Sequence, residues 1–156
     1  MQDILTCAMG LDVHRDIIVA CLVKGAVDAE PEAETRTFST LIPEMQKLRD
    51  WVIESECRNI AMESTGIYWQ PIYEMLESCF DGEISILVVN ARHMKNVPGR
   101  KTDMKDAQWI ATLLRAGLLK GSFIPDKAFR ELRHLTRYRK SVVHDITAQK
   151  NRIDKF

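Results

Sequence analysis

NIAMESTG, residues 59–66, carries Ile60, Ala61 and Met62 in one apolar run, then a carboxylate, Glu63, then a Ser-Thr-Gly turn. A short run of this kind bounded by turn residues reads as a buried strand. Upstream, residues 4–12 (ILTCAMGLD) and 17–23 (IIVACLV) are apolar runs separated by little more than VHRD, which suits two antiparallel strands joined by a tight turn. Residues 35–39 (TRTFS) alternate and read as a third, edge-like strand. Between that meander and NIAMES, Met45, Leu48, Trp51 and Val52 recur at helical spacing, with Pro43 in the first turn where its missing N–H is harmless.

Downstream the pattern becomes strand–helix alternation. GIYWQPIYEMLES (66–78) reads as a helix and ISILVV (84–89) as another buried strand, an order that calls for parallel strands in the same sheet. From Asp103 to Leu119, Ala107, Ile110, Ala111 and Leu114 share one helical face, and Gly117 or Gly121 ends the helix. Pro125 opens a long final helix with Leu132, Leu135, Val142, Ile146 and Ile153 in a heptad seam that Arg139 and Gln149 complete. The seam is barely three heptads long and stops at Phe156, so the chain reads as cut. Strand, strand, strand, helix, strand, helix, strand, helix is the order of the ribonuclease H fold. The expected class is therefore α/β, a mixed sheet with flanking helices and a long C-terminal coiled-coil helix.

At 156 residues and 46% hydrophobic, the chain holds one real core and an appended element. The expected division is a catalytic domain over 1–122 and the start of a helical region over 123–156. No run approaches the roughly 18 apolar residues of a membrane span, and the acidic start is unlike a signal peptide, so a cytoplasmic protein is expected. Cys7, Cys21, Cys57 and Cys79 lack metal or disulfide-framework spacing and read as reduced, mostly buried thiols. The zero net charge hides a polarity. Residues 1–90 hold 16 Asp+Glu against 6 Lys+Arg, and residues 91–156 hold the reverse, 6 against 16. A basic second half suits phosphate binding, although solvated helix faces are also commonly charged.

Two carboxylates sit where desolvation is costly: Asp12 ends the first strand in GLDVH, and Glu63 ends the fourth. Each alone reads equally as a turn or helix cap. In the ribonuclease H order those strands are neighbours, so both acids would face one cleft. Asp103 and Asp106, three residues apart, lie on one helical face and would look toward the same place, while Thr102 or Asp103 also suits the helix N-cap. Four carboxylates in one cleft repel unless protons or cations intervene. Mg²⁺ or Mn²⁺ ions resolve this, and a pair of them activates water and stabilises the leaving oxygen in phosphodiester cleavage. Arg100, Lys101 and Lys105 would hold the nucleic acid against the site, while Arg133 and Arg137 on the last helix read either as phosphate contacts or as charges flanking a helical pair.

GLDVH, AMESTGIYW and GRKTDMKDAQWIATLLRAGLL, followed by ELRHLTRYRKSVVHDITAQKNRI, closely resemble the N-terminal part of the DEDD transposases of the insertion-sequence-110 family and their pilin-gene invertase relatives. The resemblance covers nearly the whole chain. It implies a Holliday-junction-resolvase-like (RuvC-like) ribonuclease H domain, with Asp12, Glu63, Asp103 and Asp106 as a Mg²⁺-binding tetrad for DNA strand cleavage and transfer. It also implies a coiled-coil region leading to a second domain with a nucleophilic serine, a homo-oligomer formed through the C-terminal helix, DNA as partner, and in many members a structured guide RNA. The alternative is a nucleic-acid-binding module of the same fold with no catalytic role. An actin-like ATPase half shares the strand order but wants Gly and Ser/Thr in the first hairpin, where this chain has His14-Arg15-Asp16.

Tyr68 and Trp69 follow Glu63 and invite either base stacking or core packing, packing being the commoner role. Gly66 is placed to make the strand-to-helix turn. His14 reads as a turn residue close to Asp12. His93, His134 and His144 share no spacing with cysteine, which argues against zinc.

Overall fold

The computed structural model describes residues 3–64, 66–90, 92, 94 and 106–155. Its chain falls into two compact units, Met1–Ser122 and Phe123–Phe156. The first holds strands β1 (Cys7–Val13), β2 (Ile17–Lys24), β3 (Glu32–Ser39), β4 (Asn59–Glu63) and β5 (Ser85–Val89), with helices α1 (Ile42–Ser55), α2 (Trp69–Phe80) and α3 (Asp106–Arg115). The second is built on α4, Lys127–Ile153.

The strands form one sheet in the order β3-β2-β1-β4-β5. The first three make an antiparallel meander, and β4 and β5 then run parallel to β1. This is the ribonuclease H-like arrangement that the element order implied. Strand β1 sits in the centre, and Ala8, Met9 and Leu11 are fully buried.

Successive side chains on a strand point to opposite faces, and each face has its own helix. On one, α1 buries Met45, Leu48, Trp51 and Val52, the positions its apolar spacing selected. Trp51 packs against Phe38 of β3 with ring centroids 6.1 Å apart, and the Arg36 guanidinium lies 4.4 Å from the Trp51 ring centre. On the other face, α3 buries Ala107, Ile110, Ala111, Leu113 and Leu114. Ala107 and Ala111 pack on Cys21 and Val23 of β2, whereas Ile110 and Leu114 pack on Ala8, Ala61 and Val89.

Close approach of α3 requires Gly10. A methyl group there would run into the Ala107 carbonyl oxygen and the Ala111 amide nitrogen, both backbone atoms that cannot swing aside. The opposite end of the contact is fastened by Arg115, whose side chain is 1% exposed. Its guanidinium donates to the carbonyls of Leu5 at 2.9 Å, Gly25 at 3.1 Å and Ala26 at 2.5 Å, and Nη1 lies 3.0 Å from the Asp3 carboxylate. The Arg115 carbonyl in turn accepts from the Ile4 and Leu5 amides at 2.9 and 3.1 Å. A buried arginine held by three carbonyls and paired with a carboxylate is a structural clamp, and the sequence pattern does not reveal it.

Element limits differ from expectation by a few residues. Strand β1 begins at Cys7 because the Ile4 and Leu5 amides are spent on Arg115. Helix α2 starts at Trp69, since Gly66 takes φ +60° and makes the turn before it. Asp126, not Pro125, caps α4, its side chain accepting from the Phe129 amide at 3.0 Å. The seam residues Leu132, Leu135, Ile146 and Ile153 are exposed by half or more.

All four cysteines are free; Cys21 and Cys57 are buried, Cys7 is half-buried and Cys79 is exposed. Cys7 and Cys57 lie side by side at the starts of β1 and β4. The hydrogen bond from Cys57 brings the Cys7 thiol down to about 7, with nearby Lys24 helping against partial burial.

Candidate active site

The C-terminal ends of β1 and β4 form the candidate site. The parallel register pairs Leu11 with Met62, so the next residue along each strand brings Asp12 level with Glu63 on adjacent strands. Both are half-buried. Their face of the sheet follows from the pairing. Asp12 opposes Val19, which packs on the Ala107–Ala111 side of α3, and Glu63 opposes Val89, which packs on Ile110 and Leu114. Asp12 and Glu63 therefore belong to the face that α3 covers.

Helix α3 runs antiparallel to β1, with Arg115 tied to Ile4 and Leu5 and with Ala107 against Gly10. Its first residue, Asp106, is consequently carried to the Asp12 end of the strand. Three acids separated by up to 94 positions are thus directed toward one end of one face.

His14 holds Asp12. Its Nε2 lies 3.1 Å from the Asp12 Oδ2, the Asp12 side chain being 16% exposed and His14 56%. The tight turn after β1 is fixed by the His14 amide donating to the Ile17 carbonyl at 2.9 Å. His14 is thus the turn residue close to Asp12 that the sequence suggests, exposed by more than half and still in contact with the carboxylate, as the D-x-H spacing at a strand end allows.

Among the described residues, no three His, Cys, Asp or Glu side chains stand close enough together to hold a metal ion. The fourth expected acid, Asp103, lies outside the described residues, as do Arg100, Lys101 and Lys105. The donor set nevertheless suits a hard divalent cation: Asp12, Glu63 and Asp106 offer only carboxylate oxygens. Arg133 and Arg137 are exposed and four residues apart on α4, hence on one face of that helix. Trp69 meets Tyr73 edge-on with centroids 5.6 Å apart, which gives it the packing role, while Tyr68 stays 43% exposed. No helix among the described residues is long and apolar enough to cross a membrane.

In fold, the chain is similar to the Thermus thermophilus RuvC structure, with a TM-score of 0.51 and 12% identity over 74% of this chain and 99% of that one. It is equally similar to T. thermophilus RuvC in complex with Holliday junction substrate, with a TM-score of 0.51 and 12% identity over 76% of this chain and all of that one. At such identity the likeness speaks for the fold alone. No curated protein sequence matches the chain. The family model for DEDD transposases of the insertion-sequence-110 type, described as a transposase, matches residues 9–156, and the chain belongs to that family.

Proposed function

We propose that the chain is the metal-dependent DNA-cleaving domain of a recombinase, with Asp12, Glu63, Asp103 and Asp106 holding Mg²⁺ or Mn²⁺. What supports this reading is the level placement of Asp12 and Glu63 on adjacent parallel strands, with α3 directing Asp106 toward the same end of that sheet face. Bound there, the divalent ions would supply the positive charge that a phosphodiester under attack requires. The protein's own contribution is positioning. Rigid neighbouring strands fix Asp12 relative to Glu63, Gly10 sets how near α3 comes, and His14 limits the rotation of the Asp12 carboxylate.

Arg100, Lys101 and Lys105, immediately before α3, would neutralise phosphates at the site, and Arg133 and Arg137 would do so along α4. Residues 1–122 are the catalytic body in this reading. Residues 123–156 begin a coiled coil whose exposed apolar seam joins copies into a homo-oligomer, and the setting is cytoplasmic. A guide RNA would pair with the DNA, leaving sequence choice to the nucleic acid while the protein grips backbones. A non-catalytic nucleic-acid-binding module is the second reading, favoured by the Asp12–His14 pairing.

Nicking of branched and supercoiled DNA by the purified chain in Mg²⁺ and in Mn²⁺ separates the two readings. Cleavage that Glu63→Gln abolishes is the expected result. DNA binding without any metal-dependent cleavage, in the wild type and in Glu63→Gln alike, supports the module instead.

A further inference from the structure

Cys7 and Cys57 belong to different elements, and the backbone brings them together at the end of the sheet remote from Asp12. Met9 pairs with Ile60 in the parallel register, so two residues back along each chain Cys7 stands beside Arg58, the neighbour of Cys57. The Asn59 side-chain amide donates to the Cys7 carbonyl at 3.3 Å, and the Cys57 Sγ lies 3.3 Å from the Asn59 carbonyl oxygen. Glu56, at φ +55°, turns the chain out of α1 and delivers Cys57 to the sheet. Arg58 is held from its other side, its carbonyl accepting from the Ser85 amide at 2.7 Å. Adjacent strands lie about 4.8 Å apart, within the roughly 4.4–6.8 Å that a disulfide spans between Cα atoms.

The two thiols are unequal. Cys7 is half-buried, whereas Cys57 is 1% exposed. Lys24 is paired with Cys7 across β1 and β2, and its ammonium donates to the Ser55 carbonyl at 3.5 Å, two residues before Cys57. A cation is therefore held beside the more accessible sulfur. The hydrogen bond from Cys57 brings the Cys7 thiol down to about 7, with Lys24 helping against partial burial, while the same bond and burial push the Cys57 thiol up. At neutral pH one sulfur is a nucleophile and its neighbour is a protonated thiol.

We infer that Cys7 and Cys57 form a dithiol modification site, in which a hydroperoxide oxidises Cys7 and Cys57 resolves the product into a disulfide. The Cys7 thiolate attacks one peroxide oxygen, the O–O bond breaks, and the departing hydroxide or alkoxide takes up a proton. The sulfur, oxidised by two electrons, is left as a sulfenic acid. The Cys57 sulfur then attacks the Cys7 sulfur; the S–S bond forms as the S–O bond breaks, and the Cys57 proton leaves with the oxygen as water. Two thiols and one hydroperoxide give one disulfide, one water and one alcohol, the alcohol being a second water when the oxidant is hydrogen peroxide. Thiol–disulfide exchange with a dithiol reductant returns both sulfurs to thiols. Neither step draws on Asp12 or Glu63, so the site stands apart from the cleavage reading.

The test treats the full chain with hydrogen peroxide at pH 7, blocks the remaining thiols with N-ethylmaleimide and maps the peptides by mass spectrometry without reduction. Cys79→Ser, at an exposed position, serves as the parent so that copies do not couple through that thiol. A Cys7–Cys57 cross-linked peptide that dithiothreitol reverses is expected. It should form roughly 10-fold faster in the folded chain than in urea, in line with the larger thiolate fraction at Cys7. With Cys57→Ala added, Cys7 should accumulate as a sulfenic acid that dimedone traps and then pass to sulfinic acid; with Cys7→Ala added, Cys57 should stay reduced. Thermal unfolding checks each variant, and if one fails to fold the parent chain decides alone. Oxidation of Cys7 to sulfinic acid without the cross-link in the parent, pairing of Cys7 with Cys21 instead, or equal rates in the folded and unfolded chain overturns the proposal.

Discussion

The two ends of the central strand are built to opposite rules. At the start of β1, one buried cation, Arg115, meets three carbonyls and the Asp3 carboxylate, and its charge is answered inside the protein. Where β1 ends, Asp12, Glu63 and Asp106 are directed to one end of the α3 face, and the partly exposed His14 ring stands 3.1 Å from the Asp12 carboxylate. The first end spends its polar groups on holding the fold, and the second directs three carboxylates from separate elements toward one place. Seven residues of strand separate the two regimes, and α3 spans both, clamped at Arg115 and presenting Asp106.

Substitutions should divide along the same line. Arg115→Ala leaves the Leu5, Gly25 and Ala26 carbonyls and Asp3 without their buried partner, and a loss of about 3–5 kcal/mol is expected by urea unfolding. A loss under about 1 kcal/mol would mean that the clamp is dispensable. Gly10→Ala drives a methyl group into the α3 backbone and should destabilise by about 1–3 kcal/mol; any DNA cleavage should fall as well, because Asp106 moves with the helix. At the other end, Asp12→Asn should change stability by no more than about 0.5 kcal/mol while lowering cleavage roughly 10²- to 10³-fold. A large stability loss there would show that Asp12 is a structural cap.

A smaller effect is expected at the clamped end. Alkylation of Cys7 by iodoacetamide should rise with a midpoint near pH 7, since the thiolate reacts and the Cys57 hydrogen bond favours it. Below that pH the protonated thiol is slow; above it the rate levels off. Removing the donor in Cys57→Ala should move the midpoint upward, as mass spectrometry of the labelled peptide would reveal.

Sequence alone made the acid end more legible than the clamp. Asp12 and Glu63 stand out because a carboxylate directly after an apolar strand is expensive, and the strand–helix order sufficed to make those strands neighbours. Periodicity likewise found the buried faces of α1 and α3, since the 3.6-residue repeat is local. Arg115 stayed hidden for the converse reason. An arginine near a helix end looks like any dipole-satisfying surface residue, and its partners at Asp3, Leu5, Gly25 and Ala26 are about ninety or more positions away. Gly10 was equally silent, because its meaning lies in a helix backbone one hundred residues later. The separate duties of Tyr68 and Trp69 also needed coordinates: adjacent aromatics at a helix start point in different directions, and only the Tyr73 ring decides which one packs.

The most direct test of the carboxylate site is Mn²⁺ titration followed by electron paramagnetic resonance, on the wild-type chain and on Asp12→Asn. Saturable Mn²⁺ binding that Asp12→Asn abolishes, with competition by Mg²⁺, is the predicted result. Binding that Asp12→Asn leaves unchanged, or a folded wild-type chain that binds no Mn²⁺ at millimolar concentration, would contradict a metal site at the acidic end of the sheet.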